Sequence, residues 1–138
     1  GPGRGNGEAG WDELSWLESI HRRKTGALIA ASLEIGAIVS GATNHQRQAI
    51  GNYARDLGLA FQVVDDLLDF TADDAALGKR AGKDAERGKL TYPGLLGVEA
   101  ARAKAKELVE SAKQQIAVFE SAGWRLTLLA NYVLERSH

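Results

Sequence analysis

Apolar side chains recur every three or four residues along most of this 138-residue chain, and no stretch keeps the period of two that a strand requires. The clearest run passes through Ile50, Tyr53, Leu57, Phe61, Val64 and Leu68. It predicts one helix of about 27 residues, roughly 40 Å long at the usual rise. Thr43-Asn44-His45-Gln46 opens that helix as a capping box, in which the Thr and Gln side chains each accept from the other's backbone N–H. The segment before it, Ala27 to Ala42, is apolar nearly all round, so it belongs at the centre of a bundle, with Gly41 closing it. Glu34 interrupts this run and needs a partner or a polar opening.

Upstream, Asp12 caps a short amphipathic helix carrying Leu14, Leu17, Ile20 and His21, closed by the basic turn His21-Arg22-Arg23-Lys24-Thr25-Gly26. Downstream, Leu90-Thr91-Tyr92-Pro93 restarts a helix with proline in its early turn. Ala101, Ala105, Leu108, Ala112 and Phe119 form the apolar side of a further helix, with Lys104, Lys106, Glu110 and Lys113 on its solvated face. Gly123 breaks that pattern, and a last helix from Trp124 to Arg136 presents Leu128, Leu129, Tyr132 and Val133. The fold class is all-α, an antiparallel helix bundle.

Composition narrows the function. A net charge of −1 excludes nucleic acid as a main partner. With no cysteine there is neither a disulfide nor a thiolate metal site, in keeping with a reducing, cytoplasmic compartment. The longest apolar run is too short to span a bilayer, so no transmembrane segment is expected. Residues 1–10 hold five glycines and read as a disordered tail or expression remnant, leaving 11–138 as the folded part.

The chemistry concentrates where the long helix turns acidic. Gln62, Asp65, Asp66 and Asp69 share one side, because residues three and four apart are helical neighbours. Like charges at that spacing repel, and aspartate is a poor helix former. Near the end of the apolar pattern the helix dipole repels anions as well. A hard divalent cation offsets all three terms, and oxygen-only ligands suit Mg²⁺. The next segment, Gly78 to Lys89, carries five cations against two anions and three glycines that let it fold closely round a ligand. Carboxylates for a metal followed by lysines for leftover phosphate oxygens are what a metal–diphosphate ligand requires. Lys24 and Thr25 have two readings: a basic helix end, or a phosphate-binding cation with a hydroxyl beside it. His21, His45 and His138 are not grouped as metal ligands.

Several of these motifs together resemble the trans-isoprenyl diphosphate synthases, the farnesyl and geranylgeranyl diphosphate synthase group. His21-x-x-Lys24-Thr25-Gly26 is similar to the Lys-Thr motif of that family, and Phe61-Gln62-x-x-Asp65-Asp66-x-x-Asp69 to its second aspartate-rich motif. Leu77-Gly78-Lys79-x-x-Gly82-Lys83-Asp84 and Gly88-Lys89-x-Thr91-Tyr92-Pro93 resemble the lysine loop that follows, and Tyr132 to Arg136 resembles the C-terminus. The resemblance implies a prenyltransferase that condenses isopentenyl diphosphate with an allylic diphosphate. It implies that Asp65 and Asp69, with Asp66 through water, hold Mg²⁺, and that Lys24, Lys79 and Lys89 grip the diphosphate. Thr25 and Gln62 would aim oxygen dipoles at the carbocation.

Members of that family are about twice as long and carry a first aspartate-rich motif upstream. Asp73-Asp74 is followed by Leu77 and does not supply one. The chain therefore reads as the C-terminal half, inactive alone, with most of the isopentenyl diphosphate site outside it. Alternatives are a non-catalytic partner subunit, which has no need of every Lys and Asp named above, and a class I terpene cyclase, which the Lys-Thr and Phe-Gln motifs fit less well. Two expectations follow for the structure. Lys24, Gln62, Asp65, Asp69 and Lys79 line one cleft, and the apolar helix Ala27–Ala42, with the Leu14/Leu17 helix, drives self-association into a homo-oligomer.

Overall fold

Two long helices form an antiparallel hairpin: α1 (Ala9–Val39) and α2 (Asn44–Ala75). The turn between them is built as its residues dictate. Gly41 takes the left-handed conformation, φ 76°, that glycine enters without strain. Its N–H donates to the Ile38 carbonyl and that of Ala42 to the Ala37 carbonyl, a Schellman closure. Thr43 N–H then donates to Gln46 Oε1 (2.9 Å) and Gln46 N–H to Thr43 Oγ1 (3.1 Å), so the capping box forms as its residues predict. The computed structural model describes the backbone of residues 9–75 and 91–137, and within them the side chains of Trp16, Ile20, 23–72 and 91–137.

After residue 91 come α3 (Tyr92–Leu96), α4 (Val98–Gln115), a 3₁₀ stretch (Ile116–Gly123) and α5 (Trp124–Glu135). Thr91 caps α3 by accepting from Gly94 N–H, with Pro93 in the first turn. Polar bonds report the directions. Asn52 pairs with Gln115 and Asp56 with Ser111, so one turn forward on α2 is one turn back on α4, and the two are antiparallel. Tyr53 reaches Leu126 and Asp65 reaches Arg136, so α5 runs alongside α2 in the same direction. Every described element is helical.

The core lies between α2, α4 and α5. Tyr53, Leu57, Ala60, Val63, Val64 and Leu67 of α2 pack on Ala101, Ala105, Leu108, Val109 and Ala112 of α4 and on Ala130 and Val133 of α5. Small side chains on α4 let its backbone approach α2, leaving room there for the tyrosine ring and the leucines. Phe61 and Leu68 sit at the edge of this core, so the buried face centres slightly round the helix from the Phe61/Val64/Leu68 side.

Several expectations change. Helix α1 runs unbroken through Gly26, and the expected short helix, basic turn and apolar helix are one element of 31 residues. Gly26 is a packing glycine: a β-carbon on Gly58 of α2 would lie 3.8 Å from the Gly26 α-carbon, so the two backbones meet there. That helix starts at Ala9, two residues inside the expected tail. The rest of that tail, residues 1–8, lies outside the described residues, as do the side chains of Leu14, Leu17 and His21. The segment Ala27–Ala42 is not central in this chain. Its packing partner is α2, and Leu28 (69% exposed), Ile35, Ile38 and Val39 (81%) are uncovered.

Helix α2 continues to Ala75, so the acidic cluster is not at its last turn, and the dipole term, which fades within one turn, weighs little there. On α5 the buried residues are Ala130 and Val133, while Leu128, Leu129 and Tyr132 face outward. Lys113 is not merely solvated, since it donates to Asn131 at 3.0 Å and ties α4 to α5. Among the described residues no helix is long and apolar enough to cross a membrane.

Burial pushes the Tyr53 hydroxyl up to about 12, and that hydroxyl donates to the Leu126 carbonyl at 2.7 Å. Below about pH 10 both folded and unfolded chains keep the proton and stability is unaffected. Between pH 10 and 12 the unfolded chain releases it first, so stability falls as pH rises, by roughly 1–3 kcal/mol. Urea unfolding across that range should show the loss, and Tyr53→Phe should remove it while costing about 1 kcal/mol at neutral pH.

The uncovered face of α1 generates a second expectation. Each exposed leucine or isoleucine is worth about 1.5–3 kcal/mol if buried, so the chain should associate with itself as concentration rises. Sedimentation across a concentration series should show this, and Ile35→Glu should shift the population toward monomer.

Candidate functional site

On α2 the acidic cluster is one turn long, and the fold treats its three carboxylates differently. Asp66 is 7% exposed and turned inward. Its Oδ2 lies 3.5 Å from the Tyr92 N–H, at the start of α3, where Thr91 and Pro93 also settle. Asp65 is half-buried and accepts a hydrogen bond from Arg136 Nη2 at 3.2 Å, the two side chains being 30% and 28% exposed. The same guanidinium stacks over the Phe61 ring, 5.0 Å from its centroid. Asp69 is exposed one turn further on, and Gln62 is half-buried one turn before. Among the described residues no three His, Asp or Glu side chains converge closely enough to hold a metal.

Lys24 and Thr25 are exposed on α1, next to the point where Gly26 meets Gly58. The hairpin is antiparallel about residue 42, so Lys24 is level with Ala60 and about 7 Å along the axis from Asp65. Side chains lean toward their helix N-terminus, which for α1 is the direction of Asp65. Rotation is less favourable. Two residues from Gly26 is about 200° round the helix, so Lys24 leaves α1 on the side away from α2. It heads the uncovered stripe that continues through Leu28, Ile35 and Val39. Lys79 and Lys89 lie outside the described residues. Of the residues expected to line one cleft, Gln62, Asp65 and Asp69 share one helix, whereas Lys24 leaves α1 on the side away from α2.

Arg136 and Tyr92 are the neighbours that sequence reasoning did not assign. A guanidinium 71 positions beyond Asp65 carries no spacing signal. The local signals were a cation just after the last apolar positions and the C-terminal resemblance of Tyr132 to Arg136.

Glu34 finds the polar opening that its place in an apolar run required. It borders a shallow groove of about 420 Å³ with Arg47, Asn52 and Arg55, at the hairpin end remote from the acidic cluster.

An all-helical bundle with an aspartate-rich turn on its central helix defines the class, the isoprenoid synthase type. It is similar to the crystal structure of a protein from Marinomonas sp. MED121 assigned as a farnesyl-diphosphate synthase. The TM-score is 0.66 and the identity 40%, covering 86% of this chain and 40% of that one. The polyprenyl synthetase family profile matches residues 7–122, and the chain belongs to that family. It is 46% identical over 128 residues to the farnesyl diphosphate synthase of Escherichia coli (strain K12), covering 90% of this chain and 43% of the relative. It is 44% identical over 126 residues to a dimethylallyltranstransferase of Fischerella ambigua (strain UTEX 1903), covering 91% and 36%. The chain spans less than half the length of these curated relatives.

The α1–α2 crossing is the scaffold for these positions, and it can be tested. The space at Gly58 admits one methyl group at ordinary contact distance. Gly58→Ala should therefore raise stability by up to about 1 kcal/mol through helix propensity. Gly58→Leu should push α1 away and cost roughly 1–3 kcal/mol. Denaturant midpoints of the two variants should move in opposite directions.

Proposed function

We propose that this chain is the C-terminal part of a prenyl diphosphate synthase, the part that holds the diphosphate of an allylic substrate for condensation with isopentenyl diphosphate. The observation that carries the reading is the half-exposed Asp65/Asp69 turn within a segment of polyprenyl synthetase sequence. Most of the isopentenyl diphosphate site lies outside these residues, and the chain by itself is inactive.

Asp65 and Asp69, one helical turn apart and offering only oxygen, fit Mg²⁺ as ligands. Asp66, buried against Tyr92, acts at most through water. When bound, Mg²⁺ supplies the positive charge that neutralises a departing diphosphate. Lys24, Lys79 and Lys89 bind the remaining phosphate oxygens. Thr25 and Gln62 orient oxygen dipoles toward the allylic carbon, where positive charge develops. Lys24 shares its face with Leu28 and Ile35, on the side of α1 away from α2, so its part in diphosphate binding requires its long side chain to reach round the helix.

Calorimetric titration with pyrophosphate and Mg²⁺ tests the reading. The chain should bind weakly, without prenyltransferase activity, and Asp65→Ala should lose about tenfold or more in affinity, since a first-sphere carboxylate is removed. Equal heats from both proteins would remove the support.

A further inference from the structure

We propose that Arg136 is a positioning residue that holds the Asp65 carboxylate where a divalent cation would otherwise sit, and must release it for that cation to bind. The inference rests on the metal reading of Asp65 given above. Its own basis is the geometry of α5. That helix runs beside α2 and ends level with the acidic turn, so its final turn delivers Arg136 to Asp65.

The guanidinium is held from two directions. Phe61, one turn before Asp65, lies under its plane at 5.0 Å, and Asp65 Oδ1 accepts from Nη2 at 3.2 Å. The turn that presents it is itself cinched. Arg136 N–H donates to the Tyr132 carbonyl, while the Ser137 N–H and hydroxyl both donate to the Leu134 carbonyl, at 3.0 and 2.7 Å. Ser137 is buried.

A guanidinium and a divalent cation compete for one oxygen, because both need its lone pairs and they repel each other. The ion pair keeps Asp65 compensated and oriented while no metal is present, and lowers metal affinity by the strength of that pair. By linkage, metal binding must loosen the Arg136 turn to the same extent that the turn weakens metal binding. Arg136 lies beyond the 7–122 segment of the family match, so nothing in that match assigns it a role.

The test titrates Mn²⁺ with inorganic pyrophosphate into the chain and into Arg136→Gln, Arg136→Lys and Asp65→Asn. For a pair this exposed, Arg136→Gln should bind about two- to fivefold more tightly. Arg136→Lys, which keeps the charge but loses the planar stack on Phe61, should fall between. Hydrogen exchange on the unmutated chain gives a second readout that needs no variant to fold. The Arg136 and Ser137 amides should exchange faster once Mg²⁺ and pyrophosphate are added. Unchanged affinity in Arg136→Gln, or unchanged exchange while the metal binds, overturns the proposal. Weaker binding also overturns it, by making Arg136 a diphosphate ligand. Binding that depends on Asp65 but not on Arg136 removes this inference alone. No Asp65-dependent binding in any variant removes the metal reading and this inference together.

Discussion

The close approach of α2 to α4 is the constraint from which the other positions follow. Ala101, Ala105 and Ala112 keep the facing side of α4 low, so Tyr53, Leu57 and Leu67 can be buried between the helices. Once that face is chosen, the register is held by bonds one turn apart, Asn52 with Gln115 and Asp56 with Ser111. The direction of α4 then decides where the chain turns back, and Tyr53 anchors the start of α5 through the Leu126 carbonyl. Arg136 arrives at Asp65 as a consequence of this register and not of any local signal.

The same helix carries an unfavourable sequence at its acidic turn, and tertiary contacts divide the strain unequally. Asp66 turns inward beside a backbone N–H, which ties the return of the chain at Tyr92 to α2. Asp65 is paired with a cation, and Asp69 remains at the surface. Buried carboxylates must be compensated. One cluster of three aspartates therefore contains a buried residue, a residue paired with Arg136 and an exposed one.

Uncovered apolar surface is the other mark of this chain. Leu28, Ile35, Ile38 and Val39 on α1 and Trp124, Leu128 and Tyr132 on α5 face outward. Polyprenyl synthetase relatives are more than twice as long as the part of them that this chain matches. Lys24 stands at the end of the α1 stripe, on the side of α1 away from α2.

Local rules accounted for what depends on neighbours in the chain. The 3.6-residue period gave the helices, Gly41 and the Thr43–Gln46 box their turn, and Thr91 with Pro93 the start of α3, because each of these is closed by hydrogen bonds within five residues. The resemblance of Phe61–Asp69 to an aspartate-rich motif was legible for the same reason: it is a short spacing on one helix. Tertiary structure decided the rest. Whether Gly26 ends a helix or allows two to touch depends on Gly58, 32 positions away. Whether an all-round apolar helix is central depends on how many neighbours it has, and α1 has α2 to pack against. Which aspartate is buried, and which meets Arg136, depends on where α3 and α5 dock, and a carboxylate takes its role from the groups that the fold sets against it.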